Sequence, residues 1–364
     1  MQLKAEPKAG DAARLYERLP KGLVKCTACA RHCQVGEGGY GFCGVRKNEN
    51  GKLKLMVYGK PTGLAIDPVE KKPLFHFLPG TGILSFGTFG CAFACEFCQN
   101  WEMSQFPKIA GGAGKTIAQR RELLEKTLEG MEYFAPEEIA RIAKEKNCSS
   151  VAFTYNEPAV FSEYAYDCAV EAKKLGLKAV FVSDGYESEE SIEYLAPALD
   201  AINIDIKGFT DRFYEKLCHA KLEPVLESVK RAHRLGIWTE ITTLVIPKEN
   251  DSKEELAQIA GFVASVDKNI PWHVSAFHPE YKMLGHQATK PEKLVEARKI
   301  GFDAGLKFAY AGNLPAQYSN MESTSCPECK EILIERTGFC VARNKIGRAG
   351  KCPKCNEKIA GIWN

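Results

Sequence analysis

Ile83-Leu84-Ser85-Phe86-Gly87-Thr88-Phe89-Gly90-Cys91-Ala92-Phe93-Ala94-Cys95-Glu96-Phe97-Cys98 runs a β-prone segment straight into three cysteines spaced C-x3-C-x2-C. With 15 cysteines in 364 residues, chance alone gives roughly 0.03 such triples. Three soft thiolates close in sequence suit an iron-sulfur cluster. A [4Fe-4S] cube has four irons, so three protein ligands leave one iron open to a substrate or cofactor. An electron carrier closes that position with a fourth cysteine. The competing reading is a cluster or zinc ion completed by a distant cysteine.

Beyond the run at 83–89, further β-rich runs recur at 151–156 (VAFTYN), 179–183 (AVFVS), 201–206 (AINIDI), 239–246 (TEITTLVI) and 273–277 (HVSAF). Helical periodicity fills most of the gaps. It shows in the segments from Glu223 and Ser252, and over 137–146, 160–175, 188–195 and 291–304, with Pro136 and Pro291 at first-turn positions. Strand and helix alternating this way predict βαβ units and a parallel α/β sheet, open or closed into a barrel. In either case the loops after the strands build the site. The stretch 108–133 interrupts the order with a Gly-rich turn and a charged helix. GGAGKT lacks the leading glycine and the preceding strand of a phosphate loop. A solvated, mobile insertion is expected there.

Length divided by roughly 150 residues per domain gives two to three units. A charged fraction of 26% and net charge of +3 are ordinary and supply no reason to expect a polyanion partner. The polar opening MQLKAEPKAGDAAR carries no secretory signal. Reduced thiols in a cytoplasm are therefore expected. Pro73 to Cys95 lacks charged residues but is broken by prolines and glycines, so it reads as buried loop and strand, not a membrane span.

Most of the remaining cysteines fall in two flanking sets. Cys326-Pro-Glu-Cys329 and Cys352-Pro-Lys-Cys355 are paired C-P-x-C knuckles around β-prone residues, the pattern of a zinc ribbon. Cys340 beside them reads as a bystander. Cys26, Cys29, Cys33 and Cys43 predict either zinc or a second iron-sulfur cluster, with His32 as a further candidate ligand. Cys148, Cys168 and Cys218 read as small buried hydrophobes.

The triple, with Phe97 before its last cysteine, resembles the signature of the radical S-adenosylmethionine (SAM) superfamily. Thr154-Tyr155-Asn156-Glu157-Pro158 is similar to the G-G-E-P motif that holds the SAM amino group, with Asn156 in place of glycine. Asp205-Ile206-Lys207 resembles the D-x-K motif of glycyl-radical-enzyme activases, and Ser183-Asp184-Gly185 the T-N-G segment. His278 matches a late-strand histidine near the adenosine. Each has a plainer alternative: Glu157 as a surface helix cap, Lys207 as a solvated charge, His278 as a satisfied loop histidine.

Nearly the whole chain resembles the radical SAM component of the AmmeMemoRadiSam system, related to the pyruvate formate-lyase activating enzymes. The match includes YGFCGVR at 40–46, the segment VYGKPTGLAIDPVEKKPLFHFLPG, Gln99-Asn100-Trp101 and FHPEYKM. Three departures stand out: the long 108–133 insertion, Asp184 in place of Asn, and Ala276 where Arg is expected.

The resemblance implies a partial (βα)6 barrel at 51–320, flanked by a Cys-rich module at 1–50 and a zinc-ribbon-like module at 321–364. It also implies an oxidoreductase in which Cys91, Cys95 and Cys98 hold a [4Fe-4S] cluster for reductive cleavage of SAM. Asn156, Glu157, Ser183, Asp184, Asp205, Lys207 and His278 would contact that cofactor. A one-electron donor such as flavodoxin or ferredoxin is implied, as are a protein substrate or companion proteins. Two rivals stay open: a non-catalytic iron-sulfur or zinc scaffold, and an RNA-modifying enzyme using a basic stripe of Arg336, Arg343, Lys345, Arg348 and Lys351.

Overall fold

The computed structural model describes residues 13–364, so most of the opening segment read for targeting signals lies outside the described residues. Contacts group the chain into two units discontinuous in sequence. One holds residues up to 65, 84–94 and 100–199; the other holds 66–83, 95–99 and 200–364.

The first unit opens on short antiparallel strands. These are β1 (Tyr16–Arg18), β2 (Val24–Cys26) and β3 (Gln34–Val35), then the hairpin of β4 (Arg46–Glu49) and β5 (Lys52–Leu55). Next in the chain come β6 (Thr62–Pro68) and β7 (Gly82–Gly87). The helices are α1 (Trp101–Ser104), α2 (Phe106–Ile109), α3 (Ile117–Glu129), α4 (Pro136–Glu145), α5 (Ser162–Lys174) and α6 (Glu189–Leu195). Between α4 and α5 lies β8 (Ser150–Phe153), and between α5 and α6 lies β9 (Lys178–Ser183). Strands β8 and β9 pair in parallel, with Phe153 opposite Phe181.

Helix α4 starts at Pro136, whose missing N–H costs nothing in a first turn, and Glu138 accepts from the Ala135 N–H at 2.9 Å. It buries Ile139, Ala140 and Ala143 on one face. The apolar centre is aromatic: Phe86 meets Phe153 at 5.4 Å, and Phe153 meets Phe181 at 5.5 Å. A fully buried ion pair lies in the same unit, Arg46 donating to both Glu163 oxygens and, at 2.9 Å, to Val160 O. The Arg14 and Leu15 N–H groups also donate to Glu163, so the carboxylate is satisfied in a dry site.

Two expectations change here. The run 151–156 is strand only to Phe153, because Tyr155 takes φ of 72° and turns the chain. The insertion is solvated over 111–119, as expected, but its helix is docked: α3 buries Leu124 and Leu128, and its Glu125 accepts from Tyr40 and, at 2.7 Å, from Lys47.

The second unit carries β10 (Ala201–Asp205), α7 (Asp211–Phe213), α8 (Leu222–Arg234), β11 (Trp238–Val245) and α9 (Lys253–Val266). It continues with β12 (Trp272–Ala276), α10 (Pro291–Asp303) and β13 (Ala309–Gly312). Strands β10 to β13 pair in chain order and in parallel, Ile204 opposite Ile241, Thr243 opposite Val274 and Val274 opposite Ala311. The strands are mostly buried on both faces, as expected for a parallel sheet covered by helices, and carry buried polar residues such as Asn203, Glu240 and His273 among the apolar ones. The amphipathic periods read from Glu223 and Ser252 are helices, burying Val225, Val229 and Ala232 on α8 and Leu256, Ile259 and Val263 on α9.

The unit ends in β14 (Thr324–Ser325), β15 (Ile332–Thr337) and β16 (Cys340–Asn344), an antiparallel sheet over a core of Phe75, Phe308, Leu333, Ile334 and Ile359. Arg336, counted above in a basic surface stripe, is fully buried. Its guanidinium donates to Phe75 O at 2.6 Å and approaches Glu70 at 3.5 Å. The stripe loses that member to a buried ion pair.

Candidate functional site

Strand β7 ends where backbone packs on backbone. A Cβ on Gly87 would sit 2.4 Å from Thr154 O and 2.7 Å from Asn156 Oδ1, so only glycine fits without displacing the turn. Asn156 then fixes the segment leading to the first cysteine of the triple. Its Oδ1 accepts from the Thr88 N–H at 3.2 Å, and its Nδ2 donates to Thr88 Oγ1 at 3.2 Å and to Gly90 O at 2.6 Å. Cys91 is buried; its sulfur accepts the Phe93 N–H at 3.3 Å and lies 3.5 Å from Asp184 Oδ2.

Glu157 is fully buried. It caps the turn at Pro158 by accepting from Ala159 N–H at 2.9 Å, and accepts from Asp184 N–H at 2.7 Å and from Ser183 Oγ at 3.1 Å. A cap was the plainer reading of this residue, but as a surface feature. Ser183 also contacts Glu187 at 2.5 Å. Burial, with the Glu187 and Asp184 carboxylates adding to it, pushes the Glu157 carboxyl well above the usual range. A cationic group placed against this acidic trio would reverse the shift. The first unit thus brings together Cys91, Asn156, Glu157, Ser183 and Asp184.

The second unit contains Cys95, buried, and Cys98, half-buried, on a turn anchored by Glu96 N–H to Leu217 O at 2.9 Å and by Lys282 N–H to Glu96 O at 3.0 Å. Beside them Gln99 Nε2 lies 3.0 Å from His278 Nε2. Lys207 Nζ donates to Asp205 Oδ2 at 2.6 Å, so the two polar residues of D-x-K face each other. The Lys207 backbone is pinned from both sides, its N–H donating to Tyr214 Oη at 3.1 Å and its carbonyl accepting from Asn250 Nδ2 at 2.6 Å. Ala276 presents its carbonyl to Asn313 Nδ2 at 2.9 Å.

At the end of the chain Cys326, Cys329, Cys352 and Cys355 close to within 4.8 Å of one another. Cys326 and Cys355 sulfurs are 3.5 Å apart and those of Cys329 and Cys352 are 3.6 Å apart. An ion with four sulfurs at about 2.3 Å in a tetrahedron spaces them by about 3.8 Å. These separations are compatible with four thiolates around a metal ion. Lys330 and Asn356 take φ of 59° and 64° to turn the two knuckles.

Residues 86–260 match the model of the radical SAM superfamily. An uncharacterized protein of Methanocaldococcus jannaschii is 42% identical over 349 residues, covering 95% of this chain and 98% of that one. The chain belongs to the radical SAM superfamily. A pyruvate formate-lyase-activating enzyme of Clostridium pasteurianum is 24% identical over 225 residues, 58% of this chain and 86% of its own, so the protein is related to that branch. Among solved structures, a domain of a pyruvate-formate lyase-activating enzyme from Bacteroides vulgatus is 19% identical, with a TM-score of 0.41, over 45% of this chain and 99% of that one. The family match at residues 86–260 falls on the alternating strands and helices from β7 into α9.

The donor chemistry fits what the radical SAM family implies. Cys91 offers a soft sulfur that already receives a backbone N–H, the kind of bond that tunes cluster thiolates. The buried Glu157, crowded by like charge, suits a ligand carrying a cation. Among the described residues no helix is long and apolar enough to cross a membrane.

Two features escaped sequence reasoning. One is the use of the Asn156 side chain on the segment before Cys91, which its place in a motif did not suggest. The other is a buried network in the second unit: Glu240 accepts from the Phe75 and His76 N–H groups at 2.9 and 2.8 Å and from His273 Nε2 at 2.7 Å. A lone glutamate inside the strand run TEITTLVI was its one visible signal; its partners are distant in sequence.

Proposed function

We propose that this radical SAM protein uses Cys91, Cys95 and Cys98 to hold a [4Fe-4S] cluster and directs a 5'-deoxyadenosyl radical at a hydrogen of its substrate. When bound, the cluster and SAM supply one-electron cleavage of the C5'–S bond, giving methionine and a radical that leaves as 5'-deoxyadenosine after taking hydrogen. The protein's own residues have the positioning work. Asn156 and Thr88 set the path of the chain into Cys91. Glu157, Ser183 and Asp184 form the acidic corner for the SAM ammonium, while Asp205, Lys207 and His278 are assigned to its carboxylate, ribose and adenosine portions.

The observation that carries this reading is the thiol triple leaving a strand in a chain of this superfamily, its first sulfur 3.5 Å from the half-buried Asp184 carboxylate. A protein glycine as the hydrogen donor is supported by the relation to activating enzymes. The resemblance to the AmmeMemoRadiSam system favours companion proteins as partners, with a flavodoxin or ferredoxin supplying the electron. The C-terminal thiols are assigned to one structural zinc ion. Reduced, reconstituted protein should give a cluster EPR signal that changes on adding SAM. A signal indifferent to SAM would instead support the non-catalytic scaffold.

A further inference from the structure

In the first unit, Cys26, Cys29 and Cys43 are buried and Cys33 half-buried. The Cys33 sulfur accepts the Phe42 N–H at 3.4 Å. A Cβ on Gly41 would lie 3.7 Å from the Cys43 sulfur and 3.8 Å from that of Cys33, so these two flank one small space. In the same turn the buried His32 Nδ1 has no hydrogen-bond partner. The Cys33 and Cys43 sulfurs about one space, with an unpartnered buried imidazole nitrogen in the same turn, are soft and borderline donors of the kind a metal engages.

This module grips the segment carrying Cys91. Arg31 Nε donates to Ala92 O at 2.5 Å, with its guanidinium 3.5 Å from the centre of the Phe42 ring. Lys108 Nζ, also over that ring at 4.1 Å, donates to Cys91 O at 3.2 Å and to Phe93 O at 2.9 Å. Gly90 takes φ of 87°, and a Cβ there would stand 2.5 Å from Cys43 O. The module also holds the turn after Asp184. Cys29 bridges Glu187, Ala30 N–H donates to Tyr186 O at 2.9 Å, and Ser188 Oγ donates to Thr27 O.

We propose that Cys26, Cys29, Cys33 and Cys43 hold a second thiolate metal centre, and that this centre clamps the Gly90–Phe93 segment and the Tyr186–Ser188 turn in place. The proposal stands apart from SAM cleavage, and its readouts need no turnover. In a Cys91→Ser/Cys95→Ser/Cys98→Ser background, adding Cys29→Ser and Cys43→Ser should remove one centre's worth of metal. Separate zinc and iron analyses then tell a single ion from a cluster. Unchanged metal content overturns the site. Should the quintuple variant not fold, X-ray absorption on the triple variant decides: sulfur-ligated metal beyond one ion per chain supports the site, and one ion or none overturns it.

For the clamp, Arg31→Ala leaves all four thiols in place. It should keep the metal yet raise hydrogen exchange at 90–93 about tenfold. Unchanged exchange there overturns the clamp.

Discussion

Replacing Asn156 by Ala removes three hydrogen bonds at once, those with Thr88 N–H, Thr88 Oγ1 and Gly90 O. The methyl group leaves the Thr88 N–H and the Gly90 carbonyl in a buried setting without those partners. Each buried group left unsatisfied costs about 1–3 kcal/mol, so the turn into Cys91 loses roughly 2–6 kcal/mol. If about 3 kcal/mol of that falls on the cluster-binding geometry, affinity for the cluster drops on the order of 100-fold. Asn156→Asp keeps the acceptor for Thr88 N–H but turns a carboxylate on the Gly90 carbonyl, so it should be no better. The assay is iron and sulfide per chain after anaerobic reconstitution, paired with urea unfolding of the apo form. Wild-type iron content together with stability within about 0.5 kcal/mol of wild type would refute the positioning role.

His76 is fully buried. Ala360 O can only accept, so the 2.7 Å contact puts the proton on Nδ1 and leaves Nε2 to accept from Tyr310 Oη at 2.6 Å. Burial pushes its pKa down to about 4 from an ordinary 6.5, so the unfolded chain binds the proton more tightly. Its contribution is therefore complete above pH 6.5 and lost as pH falls through 4, amounting to about 3 kcal/mol. Urea unfolding across that window should lose this slope in His76→Gln; an unchanged slope contradicts the assignment. In the C-terminal set, Cys329→Ser should release one metal ion per chain and open residues 321–364 to proteolysis. Cys340→Ser, at an exposed position, should do neither, and equal metal content in both variants would remove the assigned ion.

The alternation of β runs with amphipathic helices was readable because each element is long enough to show its period, as on α8 and α9. The C-terminal thiols were readable because a knuckle packs its ligands into four consecutive residues. Strands β1 to β5 were not, since two to four residues cannot display a period. The docking of α3 was hidden for another reason: its contacts to Tyr40 and Lys47 come from far along the chain, and its sequence is mostly charged. Arg336 shows the same limit from the other side, a charge that reads as surface until Glu70 and Phe75 are beside it. In the candidate site, motif spacing located Glu157, Asp184 and Lys207 but not what their side chains touch.

The central claim is that the three thiols support reductive SAM cleavage, and the most direct measurement is 5'-deoxyadenosine formed by anaerobically reconstituted, reduced protein. Wild type should produce it from SAM, and Cys95→Ser should not. Equal amounts from both, or none from a wild-type protein carrying a full reduced cluster, would contradict the claim.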